Sequence, residues 1–351
     1  MCADVSSVIR MGFIGGGHAL RAIHLPIFSQ MEDVLPLVVC DVQQAALLAA
    51  LRQFGVRETT ANWHDVLAMP EIDAVVIALP NDLHAPVAEQ ALRAGKHVLC
   101  EPPSGINVAQ AEAIARAARE SNRVYALALP RRHDPAVMHL ERLIESDIMG
   151  RITHVQATVA KREGRPEGWR TDRRRSGGGA LLHFGTHLLD LSLRFMRGAA
   201  IERVSAVTRS RPSDPADACV EDAATVLIRF AGGRSALIET AWAQHLESDC
   251  EHIEVIGERG RATLWPLRLV LEIEGARSVL QPQLDASAAH ARLARAFIDR
   301  VRRHGHSPAR DADDGLRLAG VLAHAYESAM LEREIEVGST HETAETKGDP
   351  T

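Results

Sequence analysis

The sequence predicts an α/β protein in two parts. An open parallel sheet flanked by helices comes first. A second α/β region built on a large open, mostly antiparallel sheet follows. Three observations predict this. Residues 1–130 alternate short β-branched runs with longer Ala/Leu-rich runs, the pattern of right-handed βαβ units. A glycine triplet, Gly15-Gly16-Gly17, separates the first strand-like run from the first helix-like run. Beyond Pro130, strand-like runs follow one another with hairpin-type connections such as Ala231-Gly232-Gly233-Arg234, which suits antiparallel pairing.

The elements follow in order. Residues 8–14 read as a strand, 18–29 as a helix, 34–40 as a strand despite Pro36, and 42–54 as a helix. The run DAVVIAL (73–79) is continuously apolar, as a strand covered on both faces must be. A helix over 84–94 stops at Gly95, and His97 to Cys100 is a strand. Asn107 is placed to cap a helix running to Ser121, and 124–129 is the sixth strand. Then come a helix (135–146), a strand (152–160), a basic loop (161–175), a glycine run (177–179) and an apolar helix (180–196). Strands are expected at 201–209, 221–230, 234–243, 251–257 and 261–273, and helices at 287–304 and 311–333. The division is thus 1–130 for the first domain and 131–337 for the second, with a polar tail, 338–351, expected to be disordered.

Composition excludes several classes. With 351 residues, 46% apolar and 25% charged, the chain can bury a sizeable core. A net charge of −6 argues against nucleic acid as a partner, which would need a basic face. No apolar run reaches membrane-spanning length. The five cysteines are scattered and form no CxxC pair, the pattern of reduced thiols in the cytoplasm. The 17 histidines outnumber all Phe, Trp and Tyr residues, so histidine is where unusual chemistry is sought.

The glycine triplet carries the sharpest signal. A dinucleotide pyrophosphate must approach the backbone closely and meet helix N-terminal amides, which requires glycine. Gly15 and Gly17 fill the first two places of GxGxxG, and Leu20 stands at the third. The next strand ends in Asp41, close to the ~20-residue offset at which a carboxylate accepts from both ribose hydroxyls. That carboxylate would repel a 2′-phosphate, and Val42 and Gln43 offer no arginine. NAD is therefore favoured over NADP.

Three stretches resemble one family: GFIGGGHALRAIHLPIF (12–28), DAVVIALPNDLHAPVAEQALRAGKHVLCEPP (73–103) and SGGGALLHFGTHLLDL (176–191). Together they are similar to the glucose–fructose oxidoreductase / inositol dehydrogenase / rhizopine-catabolism (Gfo/Idh/MocA) family, over nearly the whole chain. The resemblance implies a Rossmann domain, a second domain whose open sheet pairs subunits into a homodimer or homotetramer, and NAD(P)-dependent chemistry on a sugar, cyclitol or related polyol. It implies that Gly15, Gly16, Gly17, His18, Asp41, Leu79, Pro80, Asn81 and His84 border the cofactor. Glu101 would lie near the nicotinamide ribose and the substrate.

Two positions depart from the family pattern. The lysine of "E-K-P", which in the family contacts the reacting hydroxyl, is Pro102 here, and the aspartate of "D-x-G-x-H" is His183. The family histidine remains as His187 and the later aspartate as Asp190. Moving hydride from a carbinol carbon requires moving a proton from its oxygen, and histidine titrates in the right range. His187 is thus the expected acid/base, His183 a relay or orienting group one turn away, and Asp190 a group that fixes the His187 tautomer. Lys161 is a stand-in for the missing lysine, and Trp169 and Arg170 are candidate substrate contacts. Arg131 and Arg132 either bind ligand or brace the domain junction. No HExxH or cysteine pair supports a metal. Two other readings stay open: tightly held NAD that cycles during net elimination, epimerisation or glycoside cleavage, and an inactive binding or regulatory homologue.

Overall fold

The computed structural model describes residues 8–162, 164–210, 220–242, 244–284, 288–303 and 310–338. The tail expected to be disordered lies, beyond Gly338, outside these residues, as do Cys2 and Cys219.

The first sheet has six parallel strands: β1 (Ile9–Ile14), β2 (Val34–Cys40), β3 (Glu58–Thr60), β4 (Ala74–Ile77), β5 (His97–Cys100) and β6 (Tyr125–Leu127). Their order in space is β3-β2-β1-β4-β5-β6, so the winding reverses between β1 and β4. Every residue of β4 and β5 is buried, which accounts for their unbroken apolar sequence. Pro36 is tolerated because the β1–β2 register shifts at Met11/Gly12, opposite it. Asn107 accepts a hydrogen bond from the Gln110 N–H at the start of Val108–Ser121, as its position predicts.

The second sheet has nine strands: β7 (Ile152–Ala160), β8 (Ile201–Arg209), β9 (Ala223–Phe230), β10 (Arg234–Ala241), β11 (Cys250–Gly257), β12 (Gly260–Leu264), β13 (Arg268–Ile273), β14 (Ala276–Leu280) and β15 (Ile335–Glu336). All pairings are antiparallel except β7 with β10. The single strand expected over 261–273 is two, turned at Trp265-Pro266. The basic loop holds two short turns, Gly168–Thr171 and Arg173–Ser176.

A cut at residue 130 does not divide the packing. The helix Ala289–Arg302 returns to the first sheet, where Leu293, Phe297, Ile298 and Val301 bury against Phe13, Val76 and Leu99. Its apolar residues fall at the three- and four-residue spacing of one helix face, and that face is needed to cover the parallel sheet. A second cluster joins residues of both sheets, including Ile77, Val98, Val155 and Val226, into one core. Among the described residues no helix is long and apolar enough to cross a membrane.

Candidate active site

The C-terminal ends of β1, β4 and β5 bring the glycine loop, Leu79–Asn81 and Glu101 to one edge of the first sheet, beside the point where the winding reverses. Gly15 has φ +107, and a Cβ there would stand 2.2 Å from the Ala78 carbonyl oxygen. A Cβ on Gly16 would meet Ala46 at 2.7 Å and the Asp41 carboxylate at 2.9 Å. Gly17 faces open space. The first two glycines are thus demanded by local packing, and the third leaves backbone bare where a pyrophosphate would sit. His18 is exposed at the start of the following helix. Asp41 accepts from the Gly16 and Gln43 N–H groups, which ties its carboxylate to the glycine loop. These features fit NAD, which the Gly15–Gly17 backbone and Asp41 would hold.

The helix Asn81–Arg93 begins earlier than its sequence suggests, which places Asn81 and His84 in its first turn. Asn81 donates through Nδ2 to the Ser176 carbonyl at 2.8 Å, joining the cofactor edge to the segment before the histidine helix. His84 is buried, with Nδ1 2.9 Å from the Pro103 oxygen and Nε2 2.8 Å from the Leu79 oxygen. Burial lowers its pKa against the pull of these carbonyls, and because both oxygens only accept, a neutral ring donates to one of them at a time, at the seam of the Leu79 and Pro103 loops.

Glu101 pairs with a residue that sequence reasoning missed. His24 is buried, and its Nε2 lies 2.6 Å from Glu101 Oε1. Burial alone would raise the Glu101 pKa, but the hydrogen bond and charge of His24 outweigh it, and the carboxylate is held below its ordinary range. His24 stands on a π-helical turn, Leu20–His24, directly after the glycine loop. A second π turn, Leu181–Gly185, carries His183. Such turns recur at functional sites. Nothing in the spacing of His24 marks it, because its partner lies 77 residues away.

The glycine run before the histidine helix is also forced by contact. A Cβ on Gly178 would lie 2.0 Å from the Tyr326 hydroxyl, and one on Gly179 2.0 Å from the Glu221 carbonyl oxygen. The Glu221 carboxylate accepts from the Gly179 and Leu181 N–H groups at 2.9 Å and from the Tyr326 hydroxyl at 3.0 Å. This fixes the start of the segment that carries His183 and His187.

His187 lies near enough to Glu101 for their charges to act on one another. It is half-buried, and its Nδ1 is sealed in the protein without a hydrogen-bond partner. Burial, with the nearby charge of Arg131, pushes its pKa down to about 4 despite Glu101 and Asp190. Asp190 does not fix the His187 tautomer as expected: both its oxygens are taken by Arg132, at 2.5 and 2.9 Å. The helix turns Asp190 into the domain junction, where Arg132 also meets Asp311 and Asp314. Arg132 is thus the brace. Arg131 pairs with Glu251 and stacks over Trp265 at 4.7 Å.

His183 lies on the open cleft, stacked on Phe184, and accepts through Nδ1 from Trp242 Nε1–H at 3.2 Å. Enclosure by protein, then His187 and Arg170, lower its pKa to about 4. Arg170, stacked on Trp169 at 4.8 Å, is thus near enough for its charge to act on His183. Lys161 is not free to replace the missing lysine: Asp249 holds its Nζ at 3.0 Å. Among the described residues, no three or more His, Cys, Asp or Glu side chains are grouped to hold a metal ion.

A glycine loop at the strand-order reversal, an acidic residue at the end of β2 and a histidine helix define a two-domain, dinucleotide-dependent oxidoreductase. Residues 9–129 match the model of the oxidoreductase family with an NAD-binding Rossmann fold, and 137–263 match the GFO/IDH/MocA C-terminal domain. The chain belongs to the Gfo/Idh/MocA family, and its cofactor is NAD. It is 27% identical over 353 residues to D-glucoside 3-dehydrogenase of Escherichia coli, covering 95% of this chain and 99% of that protein. Levoglucosan dehydrogenase of Pseudarthrobacter phenanthrenivorans is 30% identical over 274 residues, 71% of this chain and 70% of that one. A solved levoglucosan dehydrogenase in complex with NADH and L-sorbose superposes with a TM-score of 0.83 at 25% identity, over 95% of this chain and all of that one.

Proposed function

We propose that this enzyme interconverts a secondary hydroxyl and its ketone on a sugar, cyclitol or related polyol, with His187 as the acid/base. The observation that carries the reading is a neutral His187 within reach of the Glu101 charge, with Nδ1 sealed and Nε2 left to the cleft. The relatives named as glucoside and levoglucosan dehydrogenases support the substrate class. NAD, when bound, supplies the hydride acceptor. His187 Nε2 accepts the hydroxyl proton as the carbinol carbon loses hydride, and returns it in reduction. A buried Nδ1 with no carboxylate to stabilise the imidazolium keeps His187 weakly basic, so the proton is released readily. The Glu101–His24 pair keeps a carboxylate ionised beside the cofactor edge.

The test supplies NAD with levoglucosan, methyl α-D-glucoside and myo-inositol and follows the nicotinamide absorbance. NADH accumulation with at least one of them is expected. Turnover without NADH accumulation, on cofactor that survives dialysis, would establish the redox-cycling reading in its place. Silence across this set and the matching ketones would contradict both.

The same reading places the enzyme in the cytoplasm, in keeping with the free thiols of Cys40, Cys100 and Cys250. Assembly into a dimer or tetramer through the nine-stranded sheet is supported by Val207 and Leu227. They share its outer face and are 71% and 38% exposed.

A further inference from the structure

His183 and Pro102 are the two departures from the family motifs, and the contacts of His183 connect them. The imidazole is sandwiched by neighbours: Phe184 stacks on it at 4.6 Å and 20°, and the Trp242 ring meets its edge at 6.3 Å and 62°. Trp242 follows β10, is 3% exposed, and is anchored by its own N–H to the Asp222 carbonyl at 2.9 Å. Its indole N–H points at His183 Nδ1. An indole nitrogen can only donate, so Nδ1 must be the acceptor. In a neutral ring the proton then resides on Nε2. That nitrogen makes no hydrogen bond within the described protein and is not sealed from solvent.

The consequence is a change of polarity at this position. A carboxylate offers only acceptors, whereas this imidazole offers the cleft one N–H and no lone pair. Pro102 removes a donor from the opposite wall, and His183 adds one. We propose that Trp242 is a positioning residue that locks His183 as its Nε2–H tautomer, and that this N–H donates to the oxygen on the reacting carbon in place of the ammonium Pro102 cannot supply. The contact with the reacting oxygen rests on the oxidoreductase reading above; the tautomer does not.

The experiment is a long-range ¹H–¹⁵N correlation spectrum of histidine-labelled enzyme near neutral pH, with and without NADH. His183 is assigned by the signal lost in His183→Gln. The wild type is expected to show the Nε2–H pattern, Trp242→Phe to lose it, and His187→Ala to keep it. An Nδ1–H pattern in the wild type, or an Nε2–H pattern that Trp242→Phe leaves unmoved, overturns the lock. These spectra need no turnover, so they decide the tautomer even if the substrate reading fails.

Kinetics with levoglucosan then test the donor. Trp242→Phe should lower kcat about tenfold with KM nearly unchanged, the signature of misorientation. His183→Asp, an acceptor only, should lose about 100-fold, and His183→Gln, whose amide still donates, clearly less. Wild-type rates in His183→Asp would overturn the donation.

Discussion

The two walls of the cleft are held by different means. On the cofactor wall, position is set by backbone. Gly15 and Gly16 have no room for a Cβ, Gly17 is bare, and Asp41 is tied to its own loop by two N–H groups. On the reaction wall, position is set by side chains that arrive from far along the chain. Trp242 reaches His183 across 59 residues, Arg132 holds Asp190 across 58, and Glu221 pins the start of the helix across 42. The first wall has kept its glycine-loop residues apart from Leu20, and has lost a lysine at the cleft edge beside Glu101. The second has exchanged an aspartate for histidine. A backbone-built site resists change where, as at Gly15 and Gly16, any added side chain collides. A site built from side chains can be rewired when one new partner, here Trp242, is available.

The contrast can be broken by substitution, and the largest effect belongs to the reaction wall. His187→Ala should lower kcat/KM by about 10²–10⁴, the range of a lost acid/base, while NADH fluorescence titration shows unchanged cofactor affinity. A parallel loss of NADH affinity would place His187 on the cofactor wall instead. Next comes the brace. Arg132→Ala leaves the Asp190 carboxylate buried without its bidentate partner, with side-chain exposures of 10% and 5% in the pair. It should cost about 3 kcal/mol in urea unfolding. A cost near zero would show that the junction does not depend on it.

Smaller effects separate the glycines. Gly17→Ala meets nothing in the protein, so the melting temperature should hold while NADH binding weakens by roughly tenfold, about 1.4 kcal/mol. Gly15→Ala should reduce both, because it strains the backbone as well as the site. Asp41→Ala should weaken NAD more than NADP, by less than the glycine change, in paired titrations. Equal losses would remove the ribose argument.

The fold was largely legible because it depends on local pattern. The buried run at 73–79, the glycine stops and the Asn107 cap are all properties of neighbouring residues. What escaped was long-range. The helix Ala289–Arg302 reads like any amphipathic helix, and nothing local says that its apolar face belongs to the first sheet. The site shows the same division. The glycine loop, His84, Glu101 and His187 were readable from motifs and fall on the two walls of one cleft. His24 and Trp242 carry no motif, and their roles appear only when the fold brings Glu101 and His183 to them. Asp190 shows the reverse error: helical spacing placed it one turn from His187, but spacing could not show that Arg132 takes both its oxygens.

The central claim is that His187 works as a neutral base in a site where the family's lysine and motif aspartate are replaced by Pro102 and His183. The direct test is kcat/KM for oxidation against pH, using the fastest of levoglucosan, methyl α-D-glucoside and myo-inositol, in wild type and His187→Ala. The ordinary histidine pKa is 6.5, and burial holds that of folded His187 near 4, so the base form should persist as pH falls well below neutrality. The stability term has the same origin. The unfolded chain protonates first, so the contribution of His187 is whole above 6.5 and is lost as pH falls toward 4. The account predicts an acid limb near pH 4 in the wild type, and a low, nearly flat profile in His187→Ala. An acid limb at or above 6.5, or an alanine variant that keeps the wild-type profile and rate, would contradict it.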